Sequence, residues 1–167
     1  MAKKFFILVG RKIDKNFEDI NYEAQEYTPF GAYGRSKLAN ILFTKELAKR
    51  LEGKNVNVYV LHPGFVKTNA ARHWKKDHPY LSAVVDMVMG WAQRTVEQGA
   101  QTTIYCAVDE KAANESGEYY EDCKVATPSE DARDVELAKK LWDLSADWVK
   151  LGDFDPFTAE DKGPILY

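Results

Sequence analysis

The chain has 167 residues, 45% of them apolar and 29% charged, with a formal charge of −3. That suffices for one domain with a modest core, and no block of basic residues offers the clustered Lys and Arg that non-specific nucleic-acid binding needs. No stretch reaches the ~18 consecutive apolar residues of a membrane-spanning helix, and Cys106 and Cys123, far apart and without Cys-x-x-Cys spacing, predict a reduced, cytoplasmic setting rather than a zinc site or disulfide framework.

In chain order, Phe5 to Val9 is a β-favouring apolar run ended by Gly10, the pattern of a short strand buried on both faces. Lys15 to Phe30 is polar with scattered aromatics and ends at Thr28-Pro29, which predicts a surface loop. From Ala32 to Leu51 a helix is expected, with Leu38, Ile41, Leu42, Phe43, Leu47 and Leu51 on a broad apolar face and Gly53 at its stop. Val56 to Leu61 is the second strand, closed by His62-Pro63-Gly64. Strand, helix and strand in that order make a βαβ unit of a parallel sheet.

Tyr80 to Arg94 is apolar enough for a packed helix. Thr95-Val96-Glu97-Gln98 has the Thr-x-x-Gln form of a capping box and predicts a helix to about Val108. Gly117 to Glu121 reads as a short edge strand. Thr127-Pro128-Ser129-Glu130 is a second start signal, for a helix through Leu137, Leu141 and Leu144 to about Val149. The segment from Gly152 to Tyr167 is expected to be an irregular tail.

Tyr33 and Lys37 stand four residues apart on the first helix, hence on one face, where an ammonium can stabilise a neighbouring phenolate. A tyrosine so placed can give a proton to a carbonyl oxygen or take one from an alcohol. The spacing alone is common on exposed helices, so the surrounding residues decide. Ser36 is turned about 100° from Lys37 by the helix and reads as structural. His62 reads as a strand-end residue. His73, Asp77 and His78 do not form a metal site, because histidines at i and i+5 leave a common helical face. Cys106 reads as core, and Cys123 has only Lys124 nearby to support a thiolate.

Tyr33 to Asn40, Phe43 to Ala48, Leu61 to Thr68, Glu97 to Thr103 and Ser116 to Cys123, followed by the Ala138 to Leu144 helix with Trp142, resemble the short-chain dehydrogenase/reductase family in its retinol dehydrogenase-like branch. The resemblance covers residues 13–151 and matches the family's C-terminal half. It implies an α/β fold, a truncated Rossmann-like arrangement of about three parallel strands with flanking helices. Residues 1–151 would form the partial domain and 152–167 its tail. It also implies NADP(H)-dependent oxidation or reduction of retinol, retinal or related lipophilic alcohols and aldehydes, with NAD(H) as the other nucleotide. Tyr33 matches the family's general acid/base and Lys37 its electrostatic partner, which also holds the nicotinamide ribose. Pro63, Gly64, Val66 and Thr68 match residues bordering the nicotinamide.

The other half of the family's site has no counterpart in this sequence. No three of its glycines satisfy Gly-x-Gly-x-x-Gly, the turn that cradles a pyrophosphate at a helix N-terminus. Gly10-Arg11 stands where the family's catalytic serine is expected, and the loss of such a donor costs ~10²–10³ in rate by analogy with oxyanion holes. Impaired turnover is therefore expected, with a non-catalytic binding or dimerisation module as the alternative. A two- or three-stranded parallel sheet needs helices on both sides, so the Leu38/Leu42 face is expected to seek a homodimer partner or another dehydrogenase-like subunit.

Overall fold

The computed structural model describes residues 15–68, 72–77, 79–80, 82–83, 87, 93–155 and 157. The expected Phe5–Val9 strand, most of the 80–94 helix and the tail from 158 onward lie outside them. The chain divides into two compact units: one is built from the residues up to Val56 together with those from Pro128 onward, the other from Asn57–Thr127.

The first unit is organised by α1, Pro29–Arg50. Thr28 is its N-cap: the Gly31 N–H donates to Thr28 Oγ1 at 3.2 Å, and Pro29, with no N–H to satisfy, takes the first helical position. Leu38 and Leu42 are buried in one cluster with Phe17, Ala132, Ala138 and Leu141. The last two belong to α4, Val135–Trp148. The face expected to require a second chain is thus covered from within, because α4 presents its own apolar stripe to α1. Phe43 stacks on Trp142 beside this cluster, with ring centroids 5.2 Å apart.

The start of α4 departs from expectation. Thr127-Pro128-Ser129-Glu130 does not cap it; a 3₁₀ turn at Asp131–Arg133 follows, and Asp134 is the N-cap, accepting from the Leu137 N–H at 2.9 Å. The shift has a tertiary cause. The tighter turn buries Ala132 completely in the cluster, and an Asp cap is at least as good as a Thr.

The loop before α1 is held from the helix side. Arg35 is only 3% exposed, and its guanidinium donates to the carbonyls of Asn16, Asp19 and Ile20 at 2.8, 3.0 and 3.2 Å while lying 3.8 Å from the Tyr22 ring centroid. The Asp19 carboxylate in turn accepts from the N–H groups of Glu23, Ala24 and Gln25. Lys15 pairs with Asp131, and Lys140 with Glu18 at 2.7 Å, at the surface of the same unit.

The second unit holds a three-stranded mixed sheet in the order β1-β2-β3, formed by Val60–His62, Tyr119–Glu121 and Lys124–Val125. β1 and β2 are parallel, with Leu61 opposite Tyr120; β2 and β3 are antiparallel. The expected edge strand is therefore central among the described strands. Asp122 and Cys123, at φ of 55° and 57°, form a two-residue turn of the kind that reverses a hairpin and add a third strand beyond it. β1 also begins later than expected, at Val60, and takes in His62.

α2 is the short helix Arg72–Asp77, and α3 is Val96–Val108. The capping box at the start of α3 is fully formed: the Gln98 N–H donates to Thr95 Oγ1 at 3.2 Å, and the Thr95 N–H to Gln98 Oε1 at 2.9 Å. α3 buries Cys106 with Ala112 and Tyr120. Tyr120 is fully buried, and its hydroxyl donates to Glu115 Oε2. No helix among the described residues is long and apolar enough to cross a membrane.

Candidate functional site

On α1 the helical repeat separates two faces. Leu38 and Leu42 are buried, whereas Tyr33 is 62% exposed and Lys37 is exposed on the same side. Lys37 Nζ lies 5.3 Å from the Tyr33 ring centroid, within cation–π range. The ammonium there offers donors to a neighbouring hydroxyl group. Ser36 has no share in this: its hydroxyl donates to the Tyr33 carbonyl at 2.8 Å.

The second candidate cluster is the turn after β1. Gly64 has φ of +83°, which suits glycine, and its N–H donates to His62 Nδ1 at 3.3 Å. His62 Nδ1 is 3.7 Å from Glu121 Oε1, beyond hydrogen-bond distance, and the histidine stands at the end of β1, as expected. Val66 forms a parallel bridge with Arg94: the Lys67 N–H donates to the Arg94 carbonyl at 2.9 Å, and the Arg94 N–H to the Phe65 carbonyl at 2.8 Å. Val66 also packs against Gly99 on α3, and Thr68 is exposed at the end of the turn. Pro63, Gly64, Val66 and Thr68 are thus gathered on one short segment. Tyr33 and Lys37 belong to the first unit, the turn to the second.

Three residues at these places were not singled out from sequence. Arg35 sits three residues before Leu38 and seven before Leu42, a spacing that marks it as belonging to the apolar face. Arg94 and Asp122, paired at 2.5 Å, carry no local signal beyond their positions beside a capping box and within a hairpin turn. Burial, and to a smaller degree nearby Cys123, pushes the Cys106 thiol up from its ordinary range, which keeps it in the inert thiol form. Cys123 is half-buried, with its N–H donating to Thr102 Oγ1 at 3.3 Å. Among the described residues no group of His, Cys, Asp and Glu could hold a metal ion; His78 lies outside them.

The exposed donors fit a nicotinamide nucleotide in kind: a phenol and an ammonium on one face suit ribose hydroxyls and a reacting oxygen. The family model described as short chain dehydrogenase matches residues 21–79, the span that contains Tyr33, Lys37, Pro63, Gly64, Val66 and Thr68. Retinol dehydrogenase 14 of Mus musculus is 47% identical over 149 residues, covering 86% of this chain and 44% of that protein. Its Homo sapiens counterpart is 48% identical over 155 residues, 90% of this chain and 45% of the relative, and human retinol dehydrogenase 13 is 38% identical over 137 residues. The chain spans less than half the length of these curated relatives. A crystal structure of an uncharacterized protein from Mycobacterium paratuberculosis superposes with a TM-score of 0.56 at 27% identity, covering 83% of this chain and 45% of that one. The chain belongs to the short-chain dehydrogenase family, in its retinol dehydrogenase-like branch.

Proposed function

We propose that the chain carries the proton-transfer portion of an NAD(P)(H)-linked oxidoreductase acting on retinol, retinal or a related lipophilic alcohol or aldehyde. The observation that carries this reading is the placement of Lys37 Nζ 5.3 Å from the ring of an exposed Tyr33. In the reductive direction the Tyr33 hydroxyl gives its proton to the carbonyl oxygen as that oxygen gains charge; in the oxidative direction the phenolate takes the alcohol proton. Lys37 stabilises the phenolate and donates to a ribose hydroxyl. Pro63, Gly64, Val66 and Thr68 would border the nicotinamide, which when bound supplies or accepts the hydride. NADP(H) is the proposed nucleotide, with NAD(H) as the other candidate. The lipophilic substrate class is supported by the names of the relatives.

Titration of the purified chain with NADPH, followed by nicotinamide fluorescence, tests this. Saturable binding, with slow retinal reduction that Tyr33→Phe abolishes, is the expected result. No binding of NADPH or NADH at millimolar concentration would overturn it.

A second reading, a non-catalytic module that pairs with another chain, is favoured by three exposed aromatic side chains within seven residues, Tyr27, Phe30 and Tyr33, at 61%, 77% and 62%. In that case light scattering shows a concentration-dependent dimer that Phe30→Ser dissociates, with no nucleotide binding.

A further inference from the structure

The turn after β1 lies beneath an arginine side chain. Gly64 has no side chain to hold it, and its left-handed φ of +83° is one that glycine leaves readily for other conformations. Over this glycine lies the side chain of Arg94: a Cβ built on Gly64 would meet Arg94 Nε at 2.6 Å, Cδ at 2.7 Å and Cζ at 2.8 Å. The far end of the guanidinium is fastened to Asp122 at 2.5 Å, in the turn between β2 and β3. The arginine backbone is fixed as well, by its exchange of hydrogen bonds with Phe65 and Lys67. Gly64 is thus closed on one side by a flat group anchored at both ends.

We infer that Arg94 is a positioning residue: its stem and guanidinium, lying across Gly64 and tethered to Asp122, hold the Pro63–Thr68 turn in one conformation. The cover over Gly64 does more of this than the ion pair, since both partners of the pair are substantially exposed and such pairs contribute little. On the reading that this turn borders the nicotinamide, the apparent Kd for the cofactor is the intrinsic Kd divided by the fraction of chains with the turn in place. Arg94 then acts on binding without touching the cofactor.

The test is amide hydrogen exchange of the cofactor-free chain, together with NADPH titration, for the unmutated protein, Arg94→Ala, Arg94→Lys and Asp122→Asn. Arg94→Ala leaves the backbone bonds of residue 94 possible, so it isolates the side chain. The expected result is exchange at Gly64, Lys67 and residue 94, the amides whose hydrogen bonds depend on the turn, faster by at least about tenfold, with β2 and the body of α3 unchanged and the Kd for NADPH several-fold higher. Arg94→Lys, which keeps a long stem and the charge, restores most of the protection, and Asp122→Asn produces a smaller change of the same kind. Unchanged exchange in Arg94→Ala overturns the inference. So does a rise spread across residues 57–127, which is the mark of a merely structural role. An unmutated chain that binds no nucleotide removes the functional reading instead, and the exchange comparison still decides whether Arg94 holds the turn.

Discussion

Gly99 lies so close to Val66 that a Cβ on the glycine would sit 2.5 Å from Val66 Cγ2. This contact brings the start of α3 against the segment that carries Gly64 and Thr68. Replacing Gly99 by Ala gains about 1 kcal/mol of helix propensity but overpacks a stiff, β-branched neighbour already fixed by its bridge to Arg94, at a cost of ~1–3 kcal/mol. Gly99→Ala should therefore lower stability by up to about 2 kcal/mol. Val66→Ala added to it makes room, so the double variant should lose less than the two single losses combined, as urea unfolding of all four chains would register.

Arg35→Met is expected to be severe. It removes the charged donor from the carbonyls of Asn16, Asp19 and Ile20 while leaving a side chain that still fills the buried site. The loss should be about 2–4 kcal/mol, and Arg35→Lys should recover only part of it because an ammonium lacks the planar fork that reaches three acceptors. Thermal unfolding gives the magnitude; faster exchange confined at first to residues 16–25 would identify the loop as the segment released.

Tyr33→Phe and Lys37→Ala should leave unfolding within about 0.5 kcal/mol of the unmutated chain, because both side chains are exposed and outside the buried cluster. On the proposed chemistry Tyr33→Phe lowers turnover ~10²–10⁴. Unfolding curves and single-turnover kinetics on the same preparations separate the two effects. A large stability loss in either variant would show that the pair belongs to the scaffold.

Stability should decline in alkali, with Tyr120 contributing. Burial first, and then its hydrogen bond to Glu115 and that group's charge, push the Tyr120 hydroxyl well above the ordinary tyrosine value of 10.0. The native chain keeps this proton where the unfolded chain gives it up, so the associated stability is complete below about pH 10 and is lost as pH rises above it. Tyr119 and Tyr105, each raised chiefly by burial, add to the same slope. Stability measured by urea unfolding from pH 8 to about 11.5 should be level up to about pH 10 and fall above it, less steeply in Tyr120→Phe.

The features legible in the sequence are those fixed within one turn of helix. Thr28-Pro29 ends the loop as expected, the Thr95/Gln98 box forms with both of its bonds, and the Tyr33/Lys37 spacing gives a shared exposed face because helix geometry permits nothing else. What the sequence hides depends on groups far apart along the chain. Asp134 displaces the Thr127 signal because Ala132 is needed in a core that includes α1. β2 becomes central through a hairpin whose turn residues, Asp122 and Cys123, include no glycine to announce it. Arg94 reaches Gly64 and Asp122 from outside any motif. The Leu38/Leu42 stripe was readable, but not that its cover is supplied by α4.

That cover has a consequence for the order of assembly. α1 buries Leu38 and Leu42 against Ala138 and Leu141, residues that leave the ribosome roughly a hundred positions later, a separation that slows folding. Asn57–Thr127, which lies between them, is complete before α4 is made. During synthesis the second unit can settle first, while the helix bearing Tyr33 and Lys37 waits with its apolar stripe open for the later-translated α4. The platform of the Tyr33/Lys37 pair then becomes rigid only once α4 has been made, and a ribosome stalled before Val135 would present that stripe to chaperones.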